Sequence, residues 1–215
     1  MSRVATRIVL ATRNPGKLGE LRRILENGHV PVDVADLGEY PGMPEVAETG
    51  RTFSENALLK ARAVAAFTGL PAVADDSGLC ADALNGMPGV LSARWSGRHG
   101  DDAANTALLL AQLGDVPDER RGAAFVCALA LVVPGDLVLL KRAEWRGRIV
   151  REPLGSNGFG YDPVFVPTES DDAGDGRTSA ELSPAEKDAL SHRGRALAML
   201  LPELTTVLER HHDKR

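Results

Sequence analysis

Apolar residues recur along the chain with two periods, and the breaks between them set out an alternating order of strands and helices. Val4 to Ala11 is a β-branched run interrupted by Thr6 and Arg7, with Ile8-Val9-Leu10-Ala11 as its buried end. The loop Thr12-Arg-Asn-Pro-Gly-Lys17 follows, and then Leu18, Leu21, Ile24 and Leu25 fall on one helical face. Val30 to Val34 reads as a second strand, and residues 36–50 as a Gly/Pro-rich loop carrying Glu39, Glu45 and Glu48. Thr52 and Glu55 have the spacing of a capping box, opening a helix whose apolar side is Phe53, Ala57, Leu58, Ala61, Val64 and Ala65. Pro71 to Ala74 predicts a short buried strand, ended by an Asp-Ser-Gly turn.

The second half continues the pattern. Leu79 to Val90 reads as a loop, Ser92 to Gly97 as a polar segment, Asp101 to Leu113 as a helix and Asp115 to Arg121 as a charged connector. Ala123 to Val133 is the longest apolar run, and Pro134-Gly135-Asp136 turns it back into Leu137 to Leu140 as a hairpin. Ala143 to Ile149 reads as a further strand pair or turn, Pro163 to Val166 as a strand and Thr168 to Thr178 as a mobile surface loop. Ser183, Pro184 and Glu186 open a helix. Gly194 to Leu208 forms another, with Leu197, Leu200, Leu201 and Leu204 inward despite Pro202, and the tail from His211 reads as frayed. With no internal repeat and no linker, residues 1–215 are expected to form one α/β domain.

Composition narrows the class. A 215-residue chain with 43% hydrophobic and 26% charged residues has the profile of a soluble globular protein. Its net charge of -5 gives no electrostatic case for gripping a nucleic-acid backbone, so any anion must be held by local positive charge. Cys80 and Cys127 fit neither a disulfide framework nor a zinc site, and their apolar surroundings suit free thiols in a reducing compartment. No apolar stretch is long enough to span a membrane, and the start of the chain lacks a secretory pattern, so the cytoplasm is the expected location.

Three stretches carry candidate chemistry. Asp75 and Asp76 follow an apolar strand directly; they can cap the next turn or face a ligand crevice at the strand's end. Adjacent acids are costly unless a metal or a shared proton neutralises them. The strand–loop–helix at Thr12 to Lys17 is either an ordinary connection or an anion site, where helix N–H groups and Lys17 converge. Around Gly155, Gly158 and Gly160, the aromatic Phe159 and Tyr161 sit in a glycine loop, which suits a tight turn or a stacking platform for a planar ring. Asn56 and Lys60 lie one helical turn apart, and Ser191-His-Arg193 stands just before a helix; both sets can be solvated or face a ligand.

Taken together these segments resemble the Ham1 family of dITP/XTP (ITP/XTP) pyrophosphatases. The matching pieces are Ala11 to Lys17, Glu48 to Ala57 with Lys60, Ala74 to Leu79, Gly89 to Arg94, Gly158 to Pro163, Glu181 to Lys187 and Ser191 to Arg193. They occur in family order over nearly the whole chain; any one is weak and the set is specific. The resemblance implies a mixed, strongly curved central sheet flanked by helices, two lobes with the active site in the cleft between them, and a cytoplasmic homodimer. It implies Mg²⁺-dependent hydrolysis of ITP, dITP and XTP to the monophosphate and pyrophosphate, which keeps deaminated purines out of DNA and RNA.

Residue by residue, the resemblance gives Thr12, Arg13, Asn14, Pro15, Gly16 and Lys17 to the triphosphate, with Lys60 as a second phosphate cation. Asp76 resembles the acid that binds Mg²⁺ and takes a proton from the attacking water. Glu48 is similar in position to a further metal acid, with Asp75 close enough to help and Glu39 as a competitor. Ser77 matches a substrate contact. Phe159, Gly160, Tyr161 and Asp162 resemble the base loop, with Phe159 stacking, and Lys187, His192 and Arg193 match the residues that read the purine edge. Two other classes share parts of the pattern: a nucleotide-binding module without catalysis, and another hydrolase, either a terminal phosphatase or a Maf-type pyrophosphatase.

Overall fold

Strands buried on both faces need continuous apolar runs, and the first and longest runs of this chain are of that kind. The structure, a computed structural model, describes residues 6–29, 31–135 and 137–213. Val4, Val30, Asp136 and the last two residues of the expected tail lie outside the described residues. The six strands are β1 (Thr6–Leu10), β2 (Val32–Asp36), β3 (Ala72–Ala81), β4 (Gly122–Val133), β5 (Leu137–Ile149) and β6 (Phe165–Pro167). They form one mixed sheet in the order β2-β1-β3-β4-β5-β6. β1 pairs in parallel with β2 and β3, while β5 and β6 are antiparallel. β4 and β5 are sheet neighbours joined by residues 134–136, too short for a crossover, so they form the expected hairpin. The helices are α1 (Pro15–Asn27), α2 (Phe53–Thr68), α3 (Asp102–Gln112), α4 (Thr168–Ala173), α5 (Pro184–Leu190) and α6 (His192–Asp213). No helix among the described residues is long and apolar enough to cross a membrane.

The chain divides into two compact units. Unit 1 comprises Met1–Asp76, Ala128–Arg142 and Arg193–Arg215; unit 2 comprises Ser77–Cys127 and Ala143–His192. In unit 1, Ile8, Val9 and Leu10 of β1 are buried, as are Leu21 and Leu25 of α1, Ala57, Ala61 and Val64 of α2, and Leu197, Leu200 and Leu204 of α6. In unit 2 a core cluster joins Leu79, Leu109, Leu113, Phe125, Trp145, Ile149, Tyr161, Phe165 and Leu182. Neither cysteine is in a disulfide among the described residues; Cys127 is buried and Cys80 half-buried.

Several elements differ from expectation, each for a local reason. β3 does not end at Asp-Ser-Gly but runs on to Ala81. Gly78 is there for close approach, not for a turn: a Cβ on it would meet Ser92 Oγ at 2.3 Å and the Gly89 carbonyl at 2.6 Å. β5 continues through Lys141 and Arg142 as one strand whose exposed positions, Arg142, Glu144 and Arg146, alternate with covered ones. β2 runs on to Asp36, two residues past the expected end at Val34. Residues 168–173 form α4 rather than a loop: Glu169 accepts from Trp145 Nε1 at 3.0 Å, and Asp171 accepts from Arg148 Nε and Nη2 at 2.7 and 2.8 Å. Thr52 caps α2 by accepting from Glu55 N–H, but the Glu55 carboxylate takes the Arg51 N–H instead, leaving half of the expected box. In α3 the covered residues are Asn105, Thr106 and Leu109. α6 begins at His192 and runs to Asp213, past the expected end.

Candidate active site

The sheet puts Asp75 and Asp76 in the middle of β3, not at its end. Neighbouring side chains on a strand point to opposite faces, and the two acids have separate partners. Asp75, 1% exposed, has Lys17 Nζ at 2.6 Å from Oδ1 and Arg193 Nε at 3.2 Å from Oδ2. Arg193, equally buried, also donates to Glu20 of α1. Asp76 accepts from Lys60 Nζ at 2.7 Å and from Asn56 Nδ2 at 3.2 Å. Lys60 Nζ reaches Glu48 Oε1 at 2.8 Å, so one ammonium joins two acids. Asn56 Oδ1 accepts from Gly50 N–H at 2.7 Å, which ties the segment after Glu48 to the first turn of α2.

The surroundings push the two acids in opposite directions. Burial alone would raise Asp75, but Arg193, Lys17 and Lys60 outweigh it and hold the carboxyl well below the usual aspartate range. For Asp76, burial and the nearby Glu48 outweigh Lys60 and Lys17, and the group is raised. Burial lowers Lys60, yet Asp76, Glu48 and Asp75 together leave it above its ordinary value. One acid is a fixed anion; its neighbour is tuned towards accepting a proton.

The phosphate-loop residues divide. Asn14 is the N-cap of α1, with Oδ1 accepting from Lys17 N–H at 3.1 Å, and Pro15 occupies the first turn. Thr12 Oγ1 accepts from Asn14 N–H at 3.2 Å. Gly16 is half-buried, and Lys17 reaches back to Asp75. Arg13 instead donates to the Met43 carbonyl at 2.7 Å, where it holds the 36–50 segment. Glu39 accepts from Arg7 and from the Asp36 N–H, away from the cluster around Asp76.

The glycine loop of unit 2 is built around Asp162, which is 2% exposed. Its carboxylate accepts from Phe159 N–H at 2.8 Å, from Ser179 Oγ at 2.9 Å and from Lys187 Nζ. Gly158, at φ +78°, is required: a Cβ there would lie 2.0 Å from Asp162 Oδ2. Lys187 comes from α5, whose start is the expected box of Ser183 and Glu186, and its Nζ sits 4.9 Å from the centroid of the Phe159 ring. Tyr161 donates to the Ser92 carbonyl at 2.8 Å, so it acts as a strut rather than a platform. Burial, and then Asp102, push its phenol up. A cavity of about 460 Å³ opens beside Phe159, lined also by Asn157, Thr106 and Leu110. His192 is buried with its ring stacked on Phe125, centroids 4.9 Å apart and planes 9° apart. It is not solvated, and Ser191 before it is the C-cap of α5. Ser77, next to Asp76 on β3, is half-buried.

Sequence reasoning missed Glu20 as the second acid on Arg193, Asn56 as a ligand of Asp76, and Asp102 and Thr106 beside Gly160. The available signal for Glu20 was an acid inside the apolar face of α1, beside Leu21. Among the described residues no group of three or more His, Cys, Asp or Glu could hold a metal. Glu48 and Asp76 nevertheless offer two hard oxygen donors sharing one cation, and Mg²⁺ commonly takes one or two carboxylates with the rest of its shell from water and phosphate. The donor set fits such an ion.

A mixed α/β fold whose largely buried cluster sets Asp75, Asp76, Glu48 and Glu20 against Lys17, Lys60 and Arg193 defines an α/β protein with a densely charged candidate site. The family follows: a sequence model of the Ham1 family matches residues 8–203, and the chain belongs to that family. The dITP/XTP pyrophosphatase of Nocardia farcinica is 63% identical to it over 205 residues, 95% of this chain and 97% of the relative. That of Mycobacterium tuberculosis H37Rv is 62% identical over 205 residues, 95% and 98% of the two chains. Among solved structures, the nucleoside-triphosphatase / dITP/XTP pyrophosphatase of Mycobacterium abscessus has a TM-score of 0.73 at 62% identity, covering 93% of this chain and 100% of that one. The HAM1 protein of Coxiella burnetii has a TM-score of 0.78 at 43% identity, covering 95% and 99%.

Proposed function

We propose that this chain hydrolyses ITP, dITP and XTP to the monophosphate and pyrophosphate, and so keeps deaminated purines out of the nucleotide pool. The observation that carries the reading is the paired acids of β3, one locked between Lys17 and Arg193, the other shared with Lys60 and Glu48. Support comes from relatives at about 60% identity that are named dITP/XTP pyrophosphatases.

The residues take the following roles. Lys17, Lys60 and the start of α1, with Thr12 to Gly16, hold the triphosphate against its roughly four negative charges. Glu48 and Asp76 would hold Mg²⁺, which when bound supplies charge neutralisation at the phosphates and a more acidic water. The Asp76 carboxylate takes the proton of the attacking water. The water oxygen bonds to the α-phosphorus as the bond to the bridging oxygen breaks, and pyrophosphate leaves. Asp75 fixes Lys17 and the local field. Phe159 stacks on the base, and Ser77 donates to substrate. Lys187 and His192 donate to the oxygen at purine position 6, where adenine presents an amine; an amine facing donors is rejected strongly. Arg193 holds Glu20 and Asp75, and a guanidinium with five donors can serve the purine edge as well.

This reading treats both units as one functional domain, working as a cytoplasmic homodimer. The test is a panel of nucleoside triphosphates with Mg²⁺, scored for pyrophosphate. ITP, dITP and XTP should turn over far faster than ATP and GTP. Comparable rates on ATP defeat the specificity, free phosphate in place of pyrophosphate defeats the reaction, and preference for a modified pyrimidine triphosphate favours a Maf-type activity. Sedimentation of the purified protein tests the dimer.

A further inference from the structure

We propose that Asp102 and Thr106, at the start of α3, are positioning residues that fix the loop 158–162 and thereby set affinity for the purine. The proposal rests on the reading that this loop faces the base. Gly160 is gripped through both of its backbone groups: its N–H donates to Asp102 Oδ2 at 2.8 Å, and its carbonyl accepts from Thr106 Oγ1 at 3.4 Å. Residues four apart share a helix face, so one edge of α3 holds the two peptides that flank the Gly160 Cα. Gly160 stands at φ +62°, and nothing lies within 4 Å of where its Cβ would be. The glycine is thus required by backbone conformation, and the two α3 side chains hold that conformation.

The rest of the first α3 turns supports the same loop. Asn105 Oδ1 accepts from Ser96 N–H at 2.7 Å, and its Nδ2 donates to the Ala93 carbonyl at 3.3 Å. That secures the segment carrying Ser92, whose carbonyl receives the Tyr161 hydroxyl. Asn105 and Thr106 are buried polar groups on a helix, a costly placement unless their bonds are made. Their bonds go to the loop and to the segment that anchors it. Phe159 and Tyr161, the neighbours of Gly160, are therefore presented by a frame that α3 sets before substrate arrives. Such preorganisation removes an ordering cost from binding and leaves the bond-breaking step untouched.

The experiment compares the full-length protein with Asp102→Ala, using ITP and amide exchange at Gly160. A lost bond to a charged acceptor should raise KM about tenfold or more, with kcat within about twofold and exchange at Gly160 faster. Asp102→Asn keeps an acceptor oxygen and should recover most of the affinity. Unchanged KM and exchange in Asp102→Ala overturn the proposal, as does a fall in kcat at constant KM, or an Asn variant no better than Ala. Should Asp102→Ala not fold, Asp102→Ser, too short to reach Gly160, carries the same readings. Phe159→Ala separates the two levels. If it leaves KM unchanged, the base-loop reading fails; if it raises KM while Asp102→Ala does not, only the present proposal fails.

Discussion

The acid cluster of unit 1 and the glycine loop of unit 2 both hold charge in buried surroundings, but they are built in opposite ways. The cluster draws all but one of its side chains from regular elements: Lys17 and Glu20 from α1, Lys60 from α2, the two acids from β3 and Arg193 from α6, with Glu48 from the irregular segment before α2. Its charges neutralise one another across the fold. The loop relies on one carboxylate, Asp162, which gathers a backbone N–H, a hydroxyl and Lys187, while α3 fixes the peptide next door. Removing a member of the cluster strands a buried charge and costs stability or chemistry. Removing a member of the loop frame displaces the backbone that the proposed function sets against the base, and should cost affinity. Precision in the first region comes from electrostatics on rigid elements, in the second from hydrogen bonds to backbone.

The largest expected effect separates the two acids of the cluster. Asp76→Ala should lower kcat for pyrophosphate release by about 10²–10⁴-fold, the usual worth of a general base, while Asp75→Ala should lower it less. Equal losses would undo the division of roles between them. The next effect is on stability. Asp75→Ala leaves Arg193 and Lys17 facing each other across a lost anion, and urea denaturation should register a loss of about 3–5 kcal/mol. The sign with pH follows from the depressed carboxyl. Its stabilisation is fully present above the ordinary aspartate range and declines as pH falls below it, towards the folded value. The gap between wild type and Asp75→Ala should narrow on acidification; a gap that widens contradicts the ion-pair account. Smaller again is the effect of Phe159→Ala, in which lost base stacking should weaken ITP binding by about 1–3 kcal/mol with little change in unfolding temperature. A fall in stability without a change in KM would make Phe159 a core residue.

The same contrast explains what was legible in the sequence. Local periodicity and capping set out the strand–helix order and the α5 box at Ser183, because those interactions span four residues or fewer. Asp75, Asp76, Lys17, Lys60 and Glu48 were recognisable as a set, and the fold brings them together. Pairing across long separations was not readable: Arg193 and Glu20 lie 173 positions apart, and Gly160 and Asp102 lie 58 apart. Local rules also misplaced β3, since a Ser-Gly step looks the same whether the glycine turns the chain or lets Ser92 approach. They missed the length of β5, where charged residues alternate outward from a strand, and α4, whose acids are matched by Arg148 and Trp145 from β5.

The smallest expected effect tests how firmly the frame that presents Lys187 is set. Glu186 accepts from Ser183 N–H at 2.8 Å and from Arg177 Nη2 at 3.1 Å. Its bonds to Ser183 lower its pKa first, and Arg177 adds, bringing it to about 2. The group is fully exposed, so the Arg177 part is screened by salt while the cap is local. A depressed carboxyl contributes above the ordinary glutamate value and loses that contribution as pH falls towards about 2. Glu186→Gln keeps an acceptor at the start of α5 but removes the charge. Its unfolding temperature should sit slightly below wild type at neutral pH, and the difference should shrink between about pH 5 and pH 3. KM for ITP should not move, because Lys187 is held by Asp162 and not by the cap. A clear rise in KM in this variant would mean that α5 itself, rather than Asp162, sets the position of Lys187, and the frame would extend one helix further than the loop.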